Sequence, residues 1–191
     1  MIDAPSMHSV PMLAADFTPV DLANALAALP AQIVDATASS REAKRGAAFL
    51  AYRGAARDGR DFIADAIVRG VSAILYDPVN FAWNSEWKVP CLAVPDLKQH
   101  ASQIAGHIYG HPSDALWMTG VTGTNGKTSV AQWIAQGLER AGRKSAVLGT
   151  IGNGLVGDGC GQLEPSDTTT LDAVALQRHY AVGIIRTNVE R

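Results

Sequence analysis

A glycine-rich segment near the middle of the chain carries residue types that bind phosphate. Residues 120–128 have the sequence Gly-Val-Thr-Gly-Thr-Asn-Gly-Lys-Thr. Gly123 and Gly126 permit positive φ and let the backbone approach an anion without a Cβ in the way. The Lys127 ammonium can reach phosphate oxygens, and the Thr128 hydroxyl can ligate Mg²⁺. The segment therefore predicts a loop that binds the phosphates of a nucleotide.

The spacing of this loop departs in one respect from the strict phosphate-loop pattern, which has a glycine where this chain has Val121. The alternative is a plain turn that joins a strand to a helix. The apolar run at 116–121 predicts a buried strand, and apolar residues after Lys127 recur at helical spacing. This context favours phosphate binding, because a helix that begins at the loop directs N–H groups and the positive end of its dipole at one point.

The composition predicts a globular chain without the excess of positive charge that binds nucleic acid or an anionic membrane. Of 191 residues, 47% are hydrophobic and 18% are charged, which suffices for a sizeable core. The net charge of -2 and the pI near 6.2 exclude the basic surface of a nucleic-acid or anionic-membrane binder. The chain shows neither a signal peptide pattern nor an apolar run of membrane-spanning length. We therefore expect a cytoplasmic protein that binds no nucleic acid and enters no membrane.

The cysteines and histidines lack the spacing of a metal site. Cys91 and Cys160 are the two cysteines, and we expect both to be reduced. His107 and His111 have the spacing of two ligands on one helix face, but Pro112 ends that helix and no carboxylate accompanies them. We therefore interpret this pair as exposed residues at a helix end.

Strand and helix patterns alternate along the first part of the chain. The order Thr18-Pro19, followed by Asp21, is a helix start signal. The predicted strands lie at 33–37, 47–52, 71–76 and 91–94, and the predicted helices lie at 18–29, 61–69 and 95–109. This alternation favours an α/β sheet.

Chain breakers at 110–114 mark a boundary between two domains. The predicted organisation is a loose arm at 1–17, a first domain at 18–113 and a second domain at 114–191. In the second domain, the strand at 116–121, the glycine-rich loop with its helix, and a strand at 145–149 would form one βαβ unit. This order predicts the start of a parallel-sheet nucleotide-binding domain.

A glycine-rich stretch and a hydroxyl-rich stretch follow this unit. Six glycines at 149–161 predict a hairpin-like or mobile connection. Residues 164–170, Glu-Pro-Ser-Asp-Thr-Thr-Thr, precede a predicted helix at 171–179. Their hydroxyls could cap that helix or bind a substrate, and chemistry alone favours capping. The same two alternatives apply to Ser40 and Arg41 in the first domain.

With these segments in order, the chain resembles the Mur ligases, ATP-dependent enzymes that add amino acids to the UDP-N-acetylmuramoyl precursor of peptidoglycan. Residues 121–128 match the ATP loop of that family, including the replaced first glycine. Several residues of the first domain resemble the family's N-terminal UDP-binding domain: Ser40-Arg41, Gly46, Phe49, Gly54, Asp58-Gly59-Arg60 and Phe62-Ile63. Residues 149–154 and 169–173 are similar to the member that adds a diamino acid. The resemblance runs from about Ser39 to Gln177.

The resemblance implies a fold, a reaction and two cofactors. The fold is a small N-terminal α/β UDP-binding domain followed by the start of a P-loop parallel-sheet ATP-binding domain, in a monomer. ATP, with Mg²⁺, would phosphorylate the carboxylate of UDP-MurNAc-L-Ala-D-Glu. The amino group of meso-diaminopimelate, or of lysine, would then attack the acyl phosphate and form an amide bond.

The resemblance also implies roles for individual residues. ATP would be bound by Gly123, Thr124, Asn125, Gly126, Lys127, Thr128 and Ser129. Lys127 would be catalytic, because it clamps the transferring phosphoryl group, and Thr128 would face Mg²⁺. The UDP moiety would be bound by Ser40, Ala55, Ala56 and Arg57. Thr169 and Thr170 would hold the muramoyl-peptide part, which reverses the preference for capping.

Past Gln177 the sequence departs from the family pattern. The family has a Glu-Val-Ser-Ser-His segment whose acid helps to hold Mg²⁺, and later a carbamylated lysine, whereas residues 178–191 differ. We therefore expect a truncated or frame-disrupted ligase that is inactive alone. The alternative is a non-catalytic module that binds nucleotide or UDP-substrate. A folate-type polyglutamate ligase shares the ATP loop but does not account for residues 39–63.

Overall fold

The computed structural model describes residues 10–55, 57–157 and 171–187, and the side chains among them up to residue 182. The described residues form two compact units, of which the first ends at Ile108 and the second begins at Tyr109. The predicted α/β class is confirmed. In the described part of the chain, no helix combines the length and the apolar character that a bilayer crossing demands.

The first unit is built on a parallel sheet. Its four strands are β1 (Asp35–Thr37), β2 (Ala47–Ala51), β3 (Ala73–Tyr76) and β4 (Cys91–Ala93), and they lie side by side in sequence order. Phe49 of β2 is paired with Thr37 on one side and with Ile74 on the other. Because all neighbours are parallel, the connections that follow β1, β2 and β3 leave the sheet at the same edge. The predicted apolar runs thus become shorter strands at the predicted places.

Three helices accompany this sheet: α1 (Pro19–Ala28), α2 (Ile63–Val68) and α3 (Leu97–Ile108). The predicted start of α1 is confirmed by a capping box. The Asp21 N–H donates to Thr18 Oγ1 at 3.2 Å, and the Thr18 N–H donates to Asp21 Oδ2 at 2.9 Å. These bonds satisfy backbone donors that a helix start leaves without intrahelical partners.

Aromatic residues cover one face of the sheet where the connection from β3 to β4 has no helix. Phe49, Ile74 and Tyr76 pack with Ile63 of α2 in one buried cluster. The Trp83 ring, in the connection, stacks on the Tyr76 ring with centroids 4.8 Å apart. The connection from β3 to β4 therefore closes the core without a helix.

The second unit contains α4 (Lys127–Arg140), β5 (Ser145–Gly149), β6 (Gly152–Val156) and α5 (Ala173–Thr187). The predicted helix start at Lys127 and the predicted strand at 145–149 are confirmed. The described part of the glycine-rich stretch, up to residue 157, forms a hairpin with β5. α5 begins close to the predicted helix start and extends beyond residue 179.

The predicted strand at 116–121 is wrong, and so is the βαβ unit built on it. No strand is assigned at 116–121, and β5 pairs antiparallel with β6 instead of parallel with that segment. An apolar run becomes a strand only where a neighbour pairs with its N–H and C=O groups. Among the described residues β5 is paired with β6, and 97% of Trp117 and 54% of Met118 are exposed.

Candidate functional site

The glycine-rich loop of the second unit has the backbone geometry that its glycines predict. φ is 147° at Gly123 and 77° at Gly126. No atom outside the neighbouring residues lies within 4 Å of a Cβ built at Gly126, so conformation and not crowding requires glycine there. The loop thus turns from an extended segment into α4 through a residue in the left-handed region.

The N-terminus of α4 presents backbone donors beside this loop. Gly126 is the N-cap residue, and as a glycine it offers no side chain to cap this helix end. The first N–H groups of a helix lack intrahelical partners, and the helix dipole adds positive potential at the same point. Thr124, Asn125 and Ser129 are exposed around it. This arrangement is suited to a bound phosphate.

The Lys127 side chain folds back over the loop. Its Nζ donates to the carbonyl oxygen of Gly123 at 2.7 Å. The ammonium therefore lies next to the loop backbone, and a polyphosphate in the loop would offer it stronger, charged acceptors. The predicted grouping of Gly123 to Ser129 around one point is present in the structure, while their role in ATP binding stays a prediction.

Thr128 is suited to a Mg²⁺ ion that arrives with a nucleotide. Among the described residues, no group of three or more His, Cys, Asp or Glu side chains could hold a metal ion. Mg²⁺ bound with a nucleotide needs few protein ligands, because phosphates and water complete its octahedral shell. The Thr128 hydroxyl, in the first turn of α4, fits this limited role.

His107, His111 and Cys91 do not belong to a group of possible metal ligands among the described residues. α3 ends at Ile108, so His107 lies in its last turn, and His111 lies just beyond the helix and is exposed. His107 itself is half-buried, which corrects the expectation that both are exposed. Cys91 is a free thiol whose pKa is raised by burial, as expected of an unreactive cysteine. Cys160 lies outside the described residues.

In the first unit, Ser40 follows β1 at the carboxyl edge of the sheet. The Ser39 N–H donates to Thr37 Oγ1 at 3.0 Å, and Thr37 Oγ1 donates to the Ser39 carbonyl at 3.2 Å. The short 3-10 helix Ser40–Glu42 begins immediately afterwards, and Ser40 is 9% exposed. Thr37 thus shapes the turn that positions Ser40.

The connection that follows β2 forms a closed loop, residues 52–59, which we call the tip loop. The Gly59 N–H donates to the Tyr52 carbonyl at 2.9 Å, and the Gly54 N–H donates to the Arg57 carbonyl at 2.8 Å. Ala55 and Arg57 are exposed, and Ala56 lies outside the described residues. Because β1 and β2 are parallel neighbours, Ser40 and the tip loop lie at the same edge of the sheet.

The ion pair beside the tip loop is not indicated by the sequence alone. Asp58 accepts from Arg60 Nε at 2.9 Å and from Arg60 Nη2 at 2.7 Å. The Arg60 side chain is 7% exposed, and its hydrogen bonds hold the pKa of Asp58 at about 2. The Asp-Gly-Arg motif is visible in the sequence, but nothing local to the motif indicates that its arginine is buried.

Asp172 settles which residue caps α5. Its Oδ1 accepts from the N–H groups of Val174 at 2.9 Å and Ala175 at 2.8 Å. This carboxylate therefore caps two backbone N–H groups of α5, one of the two roles that the sequence left open for the hydroxyl-rich stretch. Thr169 and Thr170 lie outside the described residues, and their binding role stays a prediction.

Two family models match the chain in succession. The model described as Mur ligase family, catalytic domain, matches residues 33–109, and the model described as Mur ligase middle domain matches residues 121–183. The first match covers the parallel sheet with Ser40 and the tip loop. The second covers the glycine-rich loop, α4 and the hairpin.

Several similar curated proteins share the name UDP-N-acetylmuramoyl-L-alanyl-D-glutamate--2,6-diaminopimelate ligase. The protein of this name from Nitrosomonas europaea is 49% identical over 144 residues, which are 75% of this chain and 27% of the relative. The one from Chromobacterium violaceum is 45% identical over 154 residues, 80% of this chain and 30% of the relative. The chain therefore spans less than a third of the length of these relatives.

Solved structures show the same fold. A structure of UDP-N-acetylmuramoyl-L-alanyl-D-glutamate--2,6-diaminopimelate ligase superposes with a TM-score of 0.57 at 24% identity, over 81% of this chain and 30% of that one. A MurF structure from Acinetobacter baumannii gives a TM-score of 0.54 at 18% identity, over 86% of this chain and 32% of that one. The two successive family matches and the curated relatives show that the chain belongs to the Mur ligase family.

Proposed function

We propose that the chain is part of an ATP-dependent ligase of peptidoglycan precursor synthesis. In this proposal the enzyme joins meso-diaminopimelate, or lysine, to UDP-MurNAc-L-Ala-D-Glu through an acyl phosphate. The names of the relatives support the substrates, since they specify the UDP-muramoyl dipeptide and diaminopimelate. This reaction is proposed for the family member that contains these 191 residues. In the same proposal, that family member is a cytoplasmic protein and a monomer.

The observation that carries the proposal is the combination of loop and helix in the second unit. Gly123 and Gly126 both have positive φ directly before α4. Lys127 Nζ lies 2.7 Å from the carbonyl oxygen of Gly123 in the loop. Backbone N–H groups, a helix dipole and an ammonium then converge where the phosphates of ATP would lie. A simple strand-to-helix turn requires no lysine at this position.

In the proposed reaction these residues bind and orient the triphosphate. Residues 123–129 supply backbone N–H donors, and Lys127 stabilises the negative charge on the transferring phosphoryl oxygens. Thr128 would hold Mg²⁺, which supplies further charge neutralisation when it is bound. The role of this chain is therefore electrostatic positioning of the phosphoryl group for attack by the substrate carboxylate.

The first unit is proposed to bind the UDP-muramoyl substrate. Ser40 and the tip loop with Ala55, Ala56 and Arg57 would contact the UDP moiety, because parallel α/β sheets bind ligands at the carboxyl edge. Thr169 and Thr170 would contact the muramoyl-peptide part. Asp172 already accepts from two backbone N–H groups at the start of α5, and this leaves the hydroxyls available for the proposed contact.

We further propose that these 191 residues alone bind both ligands without completing the ligation. The chain spans 27 to 30% of the length of the relatives cited above, so much of their catalytic machinery lies in other parts of their sequences. The alternative is a non-catalytic module that binds nucleotide or UDP-substrate. The two readings differ in whether any phosphoryl transfer to the substrate carboxylate takes place.

Calorimetry and a trapping assay test the proposal. ATP with Mg²⁺ and UDP-MurNAc-L-Ala-D-Glu should each bind saturably, and addition of meso-diaminopimelate should give no ligated product. Hydroxylamine converts an acyl phosphate into a hydroxamate, so hydroxamate formed from ATP and the dipeptide precursor would favour the ligase over the module. Absence of binding by both ligands would overturn the function, and ligated product would overturn the claim of inactivity.

A further inference from the structure

The buried guanidinium of Arg60 connects two loops at the carboxyl edge of the first unit's sheet. Besides its two bonds to Asp58, Arg60 Nη1 donates to the carbonyl of Asp77 at 3.1 Å and to that of Val79 at 2.6 Å. Asp58 belongs to the connection after β2, whereas Asp77 and Val79 belong to the connection after β3. One side chain therefore fixes the distance between the loops that follow neighbouring strands.

The other end of this ion pair closes the tip loop. The Asp58 backbone forms an isolated antiparallel bridge with Arg53, directly across the base of the tip loop. The Asp58 carboxylate also accepts from the backbone N–H of Arg60 at 3.0 Å, which begins the following 3-10 helix. Asp58 is thus held from both its backbone and its side chain, and the exposed residues 55 and 57 project from this fixed base.

Close packing beneath the base leaves the tip loop little room to relax. A Cβ at Gly59 would lie 2.8 Å from the Tyr52 carbonyl oxygen and 3.2 Å from the Tyr52 nitrogen. The Arg60 guanidinium also lies over the Phe81 ring, 5.3 Å from its centroid. The orientation of Arg60 is therefore determined by carbonyls, a carboxylate and an aromatic ring together.

We propose that Arg60, acting through Asp58, is a positioning residue for binding of the UDP moiety at the tip loop. This inference rests on the proposed function of the first unit. Buried ion pairs add little net stability over apolar residues of similar size, so a geometric role accounts better for this one. Arginine is required because its planar fork bonds Asp58 through two nitrogens while a third nitrogen reaches the carbonyls, which a lysine ammonium cannot reproduce.

The test uses the full chain and its variants Arg60→Lys and Asp58→Asn. Calorimetry with UDP-MurNAc-L-Ala-D-Glu should show affinity reduced by about tenfold or more in each, by analogy with the outer residues that orient metal ligands. Hydrogen exchange should accelerate at the Gly54 and Gly59 amides while the amides of β2 remain protected. A purely structural role would instead accelerate exchange throughout the sheet.

Matched controls are available in the same unit. Asp65→Asn removes an acid from the pair that Asp65 of α2 forms with Arg69 just after the helix, and both side chains are 45% exposed. Arg45→Lys makes the conservative change at an exposed arginine. Both controls should retain wild-type affinity. If Arg60→Lys fails to fold, the substrate affinity and the amide exchange of Asp58→Asn decide whether the pair positions the tip loop.

The outcomes separate this inference from the proposed function. Wild-type affinity in both test variants would overturn the positioning role while leaving the substrate assignment intact. Absence of UDP-substrate binding by the unmodified chain would overturn the substrate assignment, and the positioning role with it. Reduced affinity with exchange accelerated only in the tip loop supports both.

Discussion

The Lys127 ammonium donates a hydrogen bond to the carbonyl oxygen of Gly123 at 2.7 Å, across a loop whose two flanking glycines have positive φ. Lysine and glycine thus hold the loop as one local structure at the start of α4. A ligand that binds there must offer the ammonium a better acceptor than a neutral carbonyl, and phosphate oxygens do so. The first predictions follow from this contact.

Lys127→Ala should weaken ATP binding by about 10- to 100-fold, the value of one charge-assisted hydrogen bond. Since Lys127 lies in the first turn of a surface helix, circular dichroism and thermal unfolding should change little. Lys144→Ala, which removes one positive charge from an exposed position in the same unit, is the matched control. Equal ATP affinity in the Lys127 variant and the control would count against the site.

Gly126→Ala should destabilise the second unit by about 1–2 kcal/mol, because a Cβ at φ 77° is strained. It should also weaken ATP binding, since relief of that strain turns loop N–H groups away from the phosphates. Gly137→Ala is the control: it lies inside α4 with open space around its Cβ, and should stabilise by about 0.5–1 kcal/mol. Urea denaturation measures both changes, and destabilisation by both substitutions would contradict the assignment of strain.

The Asp58–Arg60 pair should make the first unit sensitive to acid. Folding lowers the pKa of Asp58 from 3.8 to about 2, so its stabilisation is complete above about pH 4 and is lost as the pH falls through 2. After solvent screening the contribution is about 1–2 kcal/mol. The urea midpoint of the wild type should exceed that of Asp58→Asn at pH 6, and the gap should narrow by pH 2. A gap that does not change with pH would exclude this carboxylate as its source.

The cap of α5 separates stability from binding in the second unit. Asp172→Ala should cost about 1 kcal/mol, because it leaves two backbone N–H groups without their acceptor. Thr169→Ala and Thr170→Ala should leave stability unchanged and weaken binding of UDP-MurNAc-L-Ala-D-Glu. Thermal unfolding and calorimetry on the three variants measure both effects. Loss of stability in the threonine variants equal to that in Asp172→Ala would restore the capping interpretation.

Local signals in the sequence predicted most of the first unit. The Thr18–Asp21 capping box and the apolar runs that became β1 to β4 depend on neighbours close in sequence. The buried position of Arg60 could not be predicted, because its partners include carbonyls 17 and 19 residues further along the chain. Burial of an arginine is decided by tertiary contacts and not by a local pattern.

In the second unit, local signals predicted the helix and the strand but not their pairing. The glycines and Lys127 fix the start of α4, and Ser145–Gly149 is the predicted strand. The segment at 116–121 is as apolar as a buried strand, yet strand formation depends on a partner that the segment itself does not specify. The hairpin of β5 with β6 instead follows from the short turn at 150–151, which is flanked by the paired residues Gly149 and Gly152.

The central claim is that the loop before α4 holds the phosphates of ATP. The most direct measurement is a titration of the ¹⁵N-labelled chain with ATP and Mg²⁺, followed by amide chemical shifts. Saturable shifts should be concentrated at the amides of Gly123, Gly126, Lys127 and Thr128, and they should be lost in Lys127→Ala. Saturable ATP binding that leaves these amides unshifted, or no saturable binding at all, would contradict the central claim.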